Sequence, residues 1–102
     1  MTSYGKVFLE AFGLDETDFI PCSICGKRST EFHHVISRSR FPEGLNMIEN
    51  VLPVCRKCHQ DFGEVNDYIP MLLKIQKKIL EINNIPFNKR FFNHFINKYD
   101  KD

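Results

Sequence analysis

The 102-residue chain has no stretch approaching the roughly 18 apolar residues of a membrane span. It also has no internal repeat and no low-complexity tract, so a helical membrane span, a solenoid and a flexible linker are not expected. Its opening, MTSYGKVFLEAFGLDE, lacks the basic start, long apolar run and small-residue cleavage site of a secretion signal. The expected setting is therefore a reducing cytoplasm. Neither charge is in surplus, the formal net charge being +1, so the total selects no partner. Nothing in the chain reads as a recognition helix or a separate sequence-reading domain.

Four cysteines are present, in two pairs of identical gap: Cys22-Ser-Ile-Cys25 and Cys55-Arg-Lys-Cys58. In a reducing compartment paired cysteines of this spacing hold metal more often than they form disulfides. With 42% hydrophobic residues and so short a chain, one small domain over 1–102 is expected, its limited core stapled by an ion. Charge is also unevenly spread. Residues 21–60 carry Lys27, Arg28, Arg38, Arg40, Arg56 and Lys57 against Glu31, Glu43 and Glu49, whereas the first twenty residues are acidic. Bases beside a metal motif suit a polyanionic substrate, although a mixed solvated face would look the same.

Helical spacing of Val7, Phe8, Ala11 and Phe12 predicts an N-terminal helix over 2–12, terminated by Gly13. Gly26 supplies the freedom that a tight knuckle turn after the first cysteine pair demands. A short strand over Thr30–Ile36 should carry His33 and His34, and neighbours on a strand point to opposite faces, so the two imidazoles have two different tasks. Cys55 to Glu64 should begin a helix that Gly63 weakens. A helical extension over 67–99 follows. Its first segment buries Tyr68, Leu72, Ile75, Ile79 and Ile82 as one stripe, and a second groups Phe91, Phe92, Phe95, Ile96 and Tyr99 to cover the zinc core or another subunit. His94 reads as a surface or boundary residue.

Four thiolates from two knuckles form a closed tetrahedral shell, which suits a structural zinc and leaves no position for substrate or water. Such a staple fixes the distance between His33-His34 and His59. With the cysteines occupied, these imidazoles are free for a second metal.

At this point the residues carry a resemblance. Cys-x-x-Cys, His33-His34-Val-Ile, and Glu-Asn50-Val-Leu-Pro-Val-Cys-x-x-Cys-His59 resemble the HNH endonucleases, in particular the small zinc-knuckle type of phage and mobile elements. The resemblance covers Cys22 to Gly63. It implies an α+β chain with a ββα-metal core over 22–63, flanked by the N-terminal helix and the C-terminal helices. His34 takes the general-base position, His33 and His59 those of ligands to a catalytic divalent ion, and Asn50 the middle position that ties loop to strand and helps orient the base. The resemblance further implies hydrolysis of DNA phosphodiester bonds to 5′-phosphate and 3′-hydroxyl ends. Some members place a further histidine where this chain has Gly63. Asp61 or Glu64, or phosphate and water, would then complete the shell, with Mg²⁺ or Mn²⁺ expected and Ni²⁺ or Zn²⁺ tolerated.

Arg38 and Arg40, just beyond the histidines, are candidate phosphate clamps, with an ordinary solvated loop as the alternative. The expected partner is DNA bound through its backbone with little sequence discrimination. No membrane partner is expected, and the oligomeric state is left open. The rival reading is a catalytically inactive zinc-binding HNH-like or zinc-ribbon module that binds nucleic acid or protein. It accounts for the cysteines but leaves the His-His pair, Asn50 and His59 as coincidence.

Overall fold

The Thr2 hydroxyl accepts from the Gly5 N–H at 3.2 Å and so starts α1, Ser3–Phe12, in the computed structural model, which describes residues 2–100. Gly13, at φ 66°, closes the helix, and the Leu14 N–H returns to the Leu9 carbonyl at 2.9 Å. Phe8 and Leu9 turn inward from α1. The first cysteine knuckle then reverses at Gly26, whose φ of 80° is one that side chains rarely adopt, with the Gly26 N–H bonded to the Cys22 carbonyl at 2.9 Å.

Two strands follow, β1 at Glu31–His34 and β2 at Val51–Val54, antiparallel, with His33 opposite Leu52 and His34 opposite Val51. The strand is shorter than the expected Thr30–Ile36, and Asn50 is the reason. The Val35 N–H still reaches the Asn50 carbonyl, but the N–H and C=O of Ile36 are both taken by the Asn50 side chain, at 2.7 and 3.0 Å. A side chain thus replaces the next rung of the ladder. Pro53 is tolerated in β2 because its position faces away from β1, where its carbonyl accepts from the Ser23 N–H at 2.9 Å.

Instead of one helix from Cys55 to Glu64, a single turn, α2 at Arg56–Cys58, widens into a π turn over His59–Gly63. Helix α3, Ile69–Ile82, accepts Pro70 in its first turn and ends at Asn84 in the left-handed region, φ 56°. Its buried face is Ile69, Leu72, Leu73, Gln76 and Leu80. The stripe read from the sequence is rotated by this: of its members Leu72 is fully inside, while Tyr68 is half exposed and Ile82 is 67% exposed. Gln76 holds the centre of the buried face by donating to the carbonyls of Ile48 and Val51 at 2.7 and 3.0 Å. Helix α4, Lys89–Tyr99, is capped by Asn88 and lays Phe91, Phe92 and Phe95 into the same core, with Ile96 and Tyr99 at its margin.

The architecture is α+β, a two-stranded sheet and its following helical turn set between the knuckles and covered by α3 and α4. One apolar cluster joins Cys22, Leu52, Val54 and Cys58 to Leu72, Leu80 and Phe92, so the motif and the C-terminal helices share a core. Among the described residues no helix is long and apolar enough to cross a membrane.

Candidate active site

The two knuckles converge. The four sulfurs of Cys22, Cys25, Cys55 and Cys58 lie within 4.8 Å of one another, and Cys25 and Cys55 approach to 3.7 Å. None of the four is in a disulfide. Burial opposes ionisation of Cys22, yet the backbone N–H groups of Cys25, Cys55 and Ile24 outweigh it and lower the thiol to about 6. Cys58 is pushed the other way, by burial and then by its three neighbouring thiols. Sulfurs this close cannot all ionise without a cation among them, and an all-sulfur set of four fits a structural zinc.

The pleat of β1 separates the adjacent histidines. His33, 8% exposed, turns toward the π turn, where its ring lies 4.6 Å from that of His59. Ligand atoms of His33, His59 and Glu64 fall within 4.8 Å of one another. His33 Nε2 is buried and has no partner among the described residues. Burial, then the nearby His59, lower this imidazole to about 4 against opposing pulls from Glu64 and the Gly63 backbone, so the ring is neutral at pH 7 and one nitrogen keeps a lone pair.

His59 stands between two carboxylates: Nδ1 is 3.0 Å from Glu31 Oε2 and Nε2 is 3.1 Å from Glu64 Oε1. Glu31 is itself paired with Arg56 Nε at 3.2 Å. A carboxylate only accepts, so His59 either donates from both nitrogens as an imidazolium or, with Nδ1–H given to Glu31, turns an Nε2 lone pair toward Glu64 that a cation between them satisfies. The donor set of two imidazoles and a carboxylate therefore fits a divalent ion. Gly63 belongs to this cluster by having no side chain. A Cβ there would overlap the His59 ring and press on His33 Cε1 and Nε2 at 3.3 Å. Asp61 turns away to pair with Lys57 at 3.1 Å, which leaves Glu64 as the acidic member.

His34 occupies the opposite face. Its Nε2 lies 2.9 Å from the Leu45 carbonyl, which can only accept, so Nε2 carries the proton and Nδ1 keeps a lone pair. Burial lowers its pKa, the Leu45 carbonyl works against that, and the Arg38 charge adds to it. The ring of Tyr4 packs edge-on at 4.4 Å. Asn50, 0% exposed, makes the two bonds to Ile36 and a third to the Gly44 carbonyl at 3.2 Å, beside the Leu45 that holds His34. It supports the loop from beneath and does not line the cleft.

His33, His34, His59 and Glu64 share one open cleft of about 760 Å³ with Arg38 and Arg40. Arg40 is held by Asn66 Oδ1 at 3.0 Å and the Tyr99 hydroxyl at 3.4 Å. Among the knuckle bases, Arg28 lies over the Phe19 ring, while Arg56 and Lys57 are ion-paired. His94 sits exposed on α4 against Phe95, outside the cleft. Glu31 and Tyr4 escaped the sequence reading. Glu31 had a signal, since it precedes His33 by two and shares its strand face; Tyr4 had none, because its partner lies thirty residues away.

Residues 22–64 match the model of the HNH endonuclease family. Domains of that family are in general nucleases and act on nucleic acids, and the match ends before α3 and begins after α1. Comparison with curated proteins and comparison with solved structures return no match.

Proposed function

We propose that the chain is a metal-dependent endonuclease that hydrolyses phosphodiester bonds in DNA, leaving 5′-phosphate and 3′-hydroxyl ends. The observation that carries this reading is the division of labour across β1. His34 is fixed in the Nε2–H tautomer by Leu45, while one residue earlier His33 presents an unpartnered nitrogen to His59 and Glu64 in the same cleft.

In this scheme His34 Nδ1 takes the proton from the attacking water, and the Leu45 carbonyl steadies the imidazolium that results. Burial and Arg38 keep that ring unprotonated at neutral pH, ready to accept. Arg38 binds a non-bridging phosphate oxygen, and Arg40, tethered at Asn66 and Tyr99, lines the path of the neighbouring phosphate. His33, His59 and Glu64 hold the divalent ion, Mg²⁺ or Mn²⁺, with Ni²⁺ or Zn²⁺ compatible. The chemistry it supplies when bound is charge relief at the phosphate and at the departing 3′ oxygen. The four cysteines hold a structural zinc.

The test is conversion of supercoiled plasmid to relaxed and linear forms. Cleavage should be lost with a chelator that spares the zinc and restored by Mg²⁺ or Mn²⁺. His34→Ala should slow it by roughly 10²–10⁴-fold while leaving the melting temperature in place. A His34→Ala protein that cuts at the wild-type rate would remove His34 from the role. Binding of DNA without cutting under any divalent ion would instead establish a non-catalytic module.

A further inference from the structure

Tyr4 lies outside the HNH segment, yet it is the residue whose ring meets His34. The contact is one rung of a ladder between α1 and β1. Tyr4 faces His34 with centroids 4.4 Å apart and planes at 68°, and Phe8, one helical turn later, faces Phe32 at 5.2 Å. Four helical residues rise about 6 Å and two strand residues about 6.7 Å, so both pairs are in register at once. The ladder is anchored inside by Phe8, 2% exposed, and at the rim by the Ser3 hydroxyl, which donates to Asn46 Oδ1 at 2.8 Å. Asn46 follows Leu45, whose carbonyl holds the other side of the same imidazole.

We propose that Tyr4 is a positioning residue for His34, so that α1, though no part of the HNH segment, completes the active site. The assignment rests on the reading of His34 as general base. A single hydrogen bond at Nε2 leaves the imidazole free to swing about the line of that bond. An aromatic edge packed beside it removes this freedom and fixes the direction of the Nδ1 lone pair. The contact is made by the ring, and among the described residues the tyrosine hydroxyl makes no hydrogen bond to His34, so phenylalanine should serve equally well. Misdirection of a reacting group by about 1 Å costs on the order of 10²-fold in rate, which sets the scale of the effect.

The experiment compares Tyr4→Phe, Tyr4→Leu and Phe8→Leu in the full chain, by cleavage kinetics and by side-chain ¹⁵N–¹H correlation of the His34 ring. Tyr4→Phe should retain the wild-type kcat. Tyr4→Leu should lower kcat by about ten- to a hundredfold with KM within about twofold, and the single Nε2–H tautomer of His34 should give way to an averaged, broadened signal. Phe8→Leu, which loosens the same helix away from His34, should lower the melting temperature but not kcat. A wild-type kcat and a sharp His34 tautomer in Tyr4→Leu would overturn the assignment, as would an equal loss of kcat in Phe8→Leu. If the wild-type chain cleaves nothing, the general-base reading fails by itself, and the ring signal still decides whether Tyr4 orders His34.

Discussion

Glu31 stands two residues before His33, and the pleat turns both toward His59, where the Glu31 carboxylate takes the Nδ1 hydrogen bond. Replacing it with glutamine keeps the shape and removes the charge. Glu31→Gln should weaken Mn²⁺ binding at the His33, His59 and Glu64 cluster by about 10- to 100-fold, measured by calorimetry on the zinc-loaded chain. An unchanged affinity would confine Glu31 to its pair with Arg56. The depressed pKa of His33 also makes a prediction about stability. Its folded value, about 4, lies below the ordinary 6.5, so between these limits the unfolded chain binds more protons, and stability falls as pH drops through that window. With the second ion removed, the part of the loss due to this ring should reach roughly 3 kcal/mol by pH 4, read as the difference between wild type and His33→Phe in denaturant unfolding. Sequence spacing points to the cysteine cluster, while the pairing of His33 with His59 follows from the family resemblance. The tight fit of Gly63 against two rings leaves no trace in a local pattern, and the one sequence signal for Glu31 is its place two residues before His33 on the same strand face.

The elements follow the same division between local and distant causes. Helix α1 is legible through its apolar spacing and Gly13, and α4 through the spacing of Phe91, Phe92 and Phe95. Strand β1 was overextended in the sequence reading because its end is set by the side chain of Asn50, fourteen residues away from the Ile36 it bonds. The face of α3 was rotated because counting apolar residues ignores Gln76, which is wholly buried through bonds to two carbonyls of another element. Asn50→Ala strips three hydrogen bonds from a dry site and leaves Ile36 unsatisfied. It should cost about 2–4 kcal/mol in chemical denaturation, with cleavage falling as the loop carrying Leu45 loosens. A cost below about 1 kcal/mol would mean that water replaces the amide.

At the scale of the whole molecule, the knuckles bring the chain before β1 to the chain after β2, and His33, His59 and Glu64 lie between or just beyond them. Stripping the zinc, or Cys58→Ser, should therefore abolish cooperative thermal unfolding and not merely slow cleavage, as followed by calorimetry. Persistence of a sharp transition after zinc removal would show that the apolar core suffices. That core is shared: Leu52 and Val54 are at most 1% exposed, and their cover includes Leu72, Leu73 and Phe92 from beyond residue 64. Excised, residues 22–64 would present β2 to water on the side where α3 and α4 now lie. The stretch that names the family is thus not a portable cassette, and an engineer grafting it elsewhere would have to bring the lid of helices along with the blade.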